Sequence, residues 1–80
     1  MQFIVVRGPE RRMREIERYL YAGQSVISEP VPNMFGSHMV IVESQSDNAQ
    51  YVADRLMSGM FGAVVFDTRE DADNYIAGEM

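Results

Sequence analysis

Two apolar segments without polar alternation constrain the fold of this chain more than any other feature. QFIVV spans residues 2–6, and MVIV spans residues 39–42. A strand with one face in water alternates apolar and polar residues, whereas a continuously apolar strand suits a position covered on both faces. We therefore predict two central strands, in a sheet whose two faces both need a cover.

Two further segments complete the predicted sheet. GAVVF, residues 62–66, is a short apolar run between glycine-containing turns, which is typical of a strand. SVISEPVP, residues 25–32, contains two prolines, and proline cannot donate to the hydrogen-bond ladder of a central strand. We therefore place this second strand at an edge.

Three helices are predicted between and after these strands. The first runs from Pro9 to about Ala22. The second has apolar residues at i, i+3, i+4, i+7 and i+8, namely Ala49, Val52, Ala53, Leu56 and Met57. The third starts at Thr68 with Asp71 three residues later, a capping pattern, and it offers few packing residues: Ala72, Tyr75 and Ile76.

The resulting order, βαββαβα, predicts one domain over residues 1–80 with an α+β, ferredoxin-like βαββαβ sandwich and an additional C-terminal helix. We expect the sheet order 4-1-3-2, with strands one and three as parallel neighbours. Two helices would cover one face, and the third is expected to be too short to cover the other. An exposed apolar patch would follow, so we predict a homodimer or a protein partner on that face.

Composition excludes several classes of function. The chain has no cysteine, which removes disulfides, thiolate metal sites and thiol nucleophiles and favours a cytoplasmic location. The net charge of −5 argues against nucleic-acid binding, and residues 38–43 lack the aromatic side chains that stack RNA bases on such sheets. No segment approaches the length of a signal peptide or membrane span, so no membrane association is expected.

The only histidine, His38, lies between the edge strand and the second central strand, where we predict a hairpin loop. No second histidine or cysteine accompanies it, so we expect no metal and no cofactor. One catalytic alternative stays open. If His38 and Asp67 meet at the same sheet edge, the chain is a dimeric ferredoxin-like enzyme with an acid/base pair.

A cluster of arginines gives another alternative. Arg7, Arg11 and Arg12 surround the start of the first helix, and such a position suits an anionic ligand. Pro9 removes one amide donor there, and Glu10 competes as an internal anion. The cluster supports a small-anion or amino-acid sensor as the second functional hypothesis.

Protein binding is the leading hypothesis. Arg11, Arg14 and Arg18 form a stripe on the first helix that is separate from its apolar residues. Met34 and Phe35 are apolar residues of the predicted hairpin loop, and methionine-rich surfaces adapt to protein partners. We predict a small, non-catalytic binding or regulatory module with Arg14, Arg18, Met34 and Phe35 as interface residues.

The second half of the chain has the order strand, helix cap, alanine-containing helix, glycine and strand. In this order it is similar to the ACT amino-acid-sensing domains and the SPOR peptidoglycan-binding domains. The resemblance implies a ferredoxin-like sheet and, for the ACT domains, small-ligand sensing near the turn after strand one. No ligand-contacting residue of either family is carried over to this chain.

Overall fold

The two continuously apolar segments form the central strands in a computed structural model that describes residues 1–80. β1 (Gln2–Gly8) lies between β4 (His38–Ser44) and β5 (Gly62–Phe66). β1 and β4 are each buried at four successive positions, as the absence of alternation predicts. The other elements are a 3₁₀ helix (Glu10–Tyr19), β2 (Gln24–Val26), β3 (Val31–Pro32), α1 (Ala49–Ser58) and α2 (Arg69–Glu79).

The predicted edge strand is two short strands, β2 and β3, which both pair with β4 alone. Between them the ladder is replaced by other hydrogen bonds to Ile41. Its backbone N–H donates to the Ser28 hydroxyl at 2.8 Å, and its carbonyl accepts from the Ile27 N–H at 2.9 Å. Pro30 has no N–H to continue the ladder. The edge position is confirmed, and the division into two strands was not predicted.

The predicted four-stranded sheet in the order 4-1-3-2 is not found in that form, because the second predicted strand is divided into β2 and β3. The protein is a compact α+β fold with a five-stranded sheet in the order β2-β4-β1-β5, and β3 also pairs with β4. All pairings are antiparallel, so the expectation of parallel neighbours for strands one and three is wrong. The reason lies in the helical connections. The 3₁₀ helix joins β1 to β2, and α1 joins β4 to β5. In each case a strand that runs in the opposite direction lies between the two joined strands.

The helices differ from the predicted ones mainly at their ends. The first is a 3₁₀ helix that ends at Tyr19 rather than near Ala22, because Leu20 already has an extended backbone. α2 begins as predicted, with the Thr68 hydroxyl accepting from the Asp71 N–H at 3.1 Å. None of the helices combines the length and the apolar character that crossing a membrane requires.

The 3₁₀ helix and α1 cover one face of the sheet, which we call the first face. Both helices contribute side chains that pack with inward residues of β1 and β4. This larger core comprises Ile4, Val6, Met13, Ile16, Val40, Val42, Ala49, Val52, Ala53, Leu56 and Phe61.

α2 covers the opposite, second face. Its smaller core comprises Phe3, Val5, Met39, Ile41, Ala72 and Ile76. Val5, Met39 and Ile41 are at most 1% exposed, so the predicted exposed patch on this face is wrong. An 11-residue helix is about 16 Å long, whereas four strands span about 14 Å. Ile27 and Val31 also pack against this core from the β2–β3 segment, which the prediction did not count as cover.

Candidate functional site

The three arginines predicted to bind an anion do not form one site. Arg7 lies on the second face, 3.6 Å from the Glu79 carboxylate. Arg12 turns towards the first face, where it pairs with Glu15 at 3.2 Å and donates to the Gly59 carbonyl at 2.8 Å. Hydrogen bonding to Glu15 raises the pKa of Arg12 above its usual value. Of the three, only Arg11 is exposed and forms no ion pair.

His38 and Asp67 lie at opposite ends of the sheet, so the proposed acid/base pair is wrong. His38 is opposite Gly8 at the end of β1, and its Nε2 lies 3.6 Å from the Glu10 carboxylate. Asp67 is at the other end, where it accepts a hydrogen bond from Gln2 at 3.0 Å. β5 runs antiparallel to β1, so the residue after β5 returns to the start of β1. The Nδ1 atom of His38 is buried without a hydrogen-bond partner.

A row of stacked aromatic and arginine side chains joins the end of the 3₁₀ helix to α1. Arg55 lies 5.8 Å from the Tyr19 ring and 5.4 Å from the Tyr21 ring, both within cation–π range. Tyr21 stacks on Tyr51 with ring centres 6.1 Å apart. At the other end, Phe61 meets Tyr19 edge to face at 5.7 Å. We call this set the aromatic–arginine row; with Arg12 over Phe61 it comprises Arg12, Phe61, Tyr19, Arg55, Tyr21 and Tyr51.

The aromatic–arginine row was missed by the sequence analysis. Its members come from the 3₁₀ helix, the turn after it, α1 and the turn after α1, so their proximity depends on tertiary packing. One signal was present: Tyr51 and Arg55 are four residues apart and share a helix face. Gly59 leaves room for this packing, because a Cβ there would collide with the Tyr19 hydroxyl.

The hairpin between β3 and β4 presents two apolar side chains on a hydrogen-bonded turn, which we call the hairpin tip (residues 33–37). The Asn33 carboxamide oxygen accepts from the Phe35 N–H at 3.0 Å and from the Ser37 N–H at 2.9 Å. The Met34 N–H donates to the Glu79 carbonyl at 2.8 Å, which ties the tip to the end of α2. Gly36 has a φ of +87°, a conformation that suits glycine.

The predicted interface residues are all exposed. Phe35 is 72% exposed and Met34 is 60% exposed. Arg14 and Arg18 face solvent with Arg11, as predicted for these three arginines of the first helix. Arg11 and Arg14 also line a surface depression of about 540 Å³ together with Glu10, Met13 and Pro30.

The side chains do not assemble a recognisable metal centre, since no group of three His, Asp or Glu residues has the arrangement to hold an ion. Comparison with protein-family models gives no match, and comparisons with curated proteins and with solved structures give none either. The functional inference therefore depends on the surface of this chain alone.

Proposed function

We propose that this chain is a small intracellular binding or regulatory module that acts without catalysis and contacts a protein partner through the hairpin tip. One observation carries the proposal: Phe35, the most exposed aromatic residue of the chain, lies in a turn whose backbone is held by several hydrogen bonds. Large aromatic side chains dominate the binding energy of protein interfaces when they enter a partner pocket.

The hydrogen bonds of the hairpin tip favour binding, because they reduce the backbone conformational entropy that is lost when a partner binds. A mobile loop loses backbone freedom when a partner immobilises it, whereas a loop that is already fixed loses little. Asn33 holds the turn from within, and the Glu79 carbonyl holds Met34 from α2. Phe35 and Met34 therefore need to order only their side chains on binding.

The charge near the hairpin tip indicates the chemistry of the partner. Pro30, which lines the depression with Arg11 and Arg14, precedes Met34 by four residues, or about 13 Å of extended chain. A standard interface buries about 800 Å² on each partner, which is wide enough to include both regions. We infer a partner surface with an apolar pocket for Phe35 and acidic groups beside it for Arg11 and Arg14.

A photo-crosslinking amino acid at position 35 tests the proposal in the source cell. We expect one discrete adduct from position 35 and none from position 60. Position 60 is the matched control, since Met60 is also exposed but lies in the turn before β5, outside the hairpin tip. Adding Arg14→Glu should weaken the adduct at low salt and have less effect at high salt. The same adduct pattern from positions 35 and 60, or no adduct at all, would refute binding through the hairpin tip.

A second candidate is the binding of a small anion in the depression beside the 3₁₀ helix. Arg11 and Arg14 both line it, and neither forms an ion pair. A ligand that binds only the folded state raises the thermal midpoint. If this site is used, phosphate or an amino acid should raise the midpoint of the parent protein and not that of Arg11→Ala. An equal shift in both proteins would exclude the site.

A further inference from the structure

The two edges of the sheet differ in their readiness to pair with another strand. At one edge, β2 and β3 are short, and Pro30 and Pro32 interrupt the supply of backbone donors. Prolines and short strands protect an edge against further pairing. At the other edge, β5 has five residues and pairs with β1 alone.

β5 has none of the features that protect an edge strand. Its sequence, GAVVF, contains no proline and no charged residue, and all five residues are half-buried. Val64 packs in neither of the two hydrophobic cores, although its partner in β1, Val5, is buried in the second. The outer side of an edge strand also has N–H and C=O groups without a strand partner.

The order of side chains in β5 matches a second, antiparallel copy of itself. If Val64 lies on the two-fold axis, Gly62 is opposite Phe66 of the other copy, and Ala63 is opposite Val65. Phe66 packs against the second core and on Tyr75, with ring centres 5.3 Å apart, and its edge would lie across from Gly62 of the other copy. The Gly62 position is already overlaid by Arg7, whose Nε would lie 2.7 Å from an added Cβ, so the incoming ring can stack on a guanidinium.

Charge at the two ends of β5 also favours the antiparallel arrangement. Arg7 and Arg12 lie near the Gly62 end. The opposite end leads into three acidic residues that form no ion pair: Asp67, Glu70 and Asp71. Each arginine has one carboxylate neighbour and retains further N–H donors for a second. An unrelated peptide would need this charge pattern by chance, whereas a second copy has it by symmetry.

We propose that β5 is a self-association edge, at which two copies of this chain pair their β5 strands antiparallel about Val64 and join their sheets into one. The surface is distinct from the hairpin tip, so Phe35→Ala leaves the dimer intact. The pairing uses a sheet edge and leaves α2 on the second face of its own chain.

A single-cysteine variant tests the position of the two-fold axis. The chain has no cysteine, so any disulfide in Val64→Cys joins two copies. Directly opposed residues place their Cβ atoms about 4.5 to 5.5 Å apart, so a small local shift brings two cysteines to the separation of about 3.5 to 4.5 Å that a disulfide needs. Val64→Cys should form covalent dimers under mild oxidation, at a concentration at which the matched control Met57→Cys stays monomeric. Equal crosslinking of the two variants would overturn the proposal.

Sedimentation equilibrium gives an independent test without oxidation. We expect the parent protein and Met57→Lys to show a concentration-dependent dimer, and Val64→Lys to remain a monomer because two lysines meet at the axis. A parent protein that stays at 9.1 kDa up to millimolar concentration would overturn the proposal. So would a dimer that Val64→Lys, shown by circular dichroism to be folded, does not weaken. If Val64→Lys fails to fold, the cysteine pair decides.

Discussion

The two faces of the sheet are covered in different ways. On the first face, two helices enclose a core of 11 buried residues, and on the second face one helix, α2, covers a core of 6. The central strands nevertheless bury both sets of side chains almost completely. The difference indicates that the first face supplies most of the stability, while the second depends on one helix and the short segment between β2 and β3.

The largest expected effect comes from opening the first face. Leu56 is fully buried between α1 and the sheet. Leu56→Ala should lower the free energy of unfolding by about 3 to 4 kcal/mol, because it removes buried methyl groups and leaves a cavity. Urea unfolding measures the loss. The neighbouring surface change Met57→Ala should cost far less, and an equal cost would contradict the packing of α1.

The corresponding change on the second face should cost less. Ile76 is the largest α2 residue in that core and is 9% exposed. Ile76→Ala should lower the free energy of unfolding by about 2 kcal/mol and increase the binding of a hydrophobic dye. Ile76→Val serves as the conservative control. A loss as large as that of Leu56→Ala would show that the two faces contribute equally.

The start of α2 gives a smaller effect on the same face. Thr68 caps the helix by accepting from the Asp71 N–H. Thr68→Ala should cost about 1 kcal/mol, since an N–H of the first turn loses its partner. Thr68→Ser retains the hydroxyl and should retain most of the stability in the same urea titration. Equal losses in both variants would show that the methyl group, rather than the cap, matters.

The end of α2 should respond to alkaline pH. Hydrogen bonding to Glu79, followed by burial, raises the pKa of Tyr75 above its ordinary value. A raised pKa in the folded state gives stability that is present below about pH 10 and is lost as the pH rises through the folded pKa. The parent protein should therefore lose more stability between about pH 9 and pH 11 than Tyr75→Phe. Tyr51→Phe is the control, because it leaves Tyr75 in place and should keep the loss of stability that Tyr75 causes. If the free energy of unfolding changed identically with pH in the parent and in Tyr75→Phe, the contribution of Tyr75 would be contradicted.

Local patterns in the sequence predict the elements well. The apolar runs at residues 2–6 and 39–42 identified β1 and β4, and prolines identified the edge. The exposure of Met34 and Phe35 also follows from their place in a hairpin between two strands. These features are set by residues close together in the chain, so one sequence is sufficient to predict them.

Features that depend on contacts between distant segments could not be predicted in the same way. The cover of the second face requires Ile27 and Val31 from one segment and Ile76 from another, 45 residues or more away. The separation of His38 from Asp67 follows from the antiparallel pairing of β4 with β1, which were expected to be parallel; the antiparallel direction of β5 was predicted correctly. The arginines near the first helix are close together in the sequence, but Arg7 and Arg12 form ion pairs with carboxylates on opposite faces of the sheet.

The direct test of the two-face packing is a methyl nuclear Overhauser experiment on a mixture of isotopically labelled and unlabelled chains. It separates contacts within a chain from contacts between chains. If α2 covers the second face of its own chain, the Ile76 methyl groups should show intrachain contacts to Val5 and Ile41. Absence of these contacts, or their appearance only between chains, would contradict the packing and return the second face to the role of an intermolecular interface.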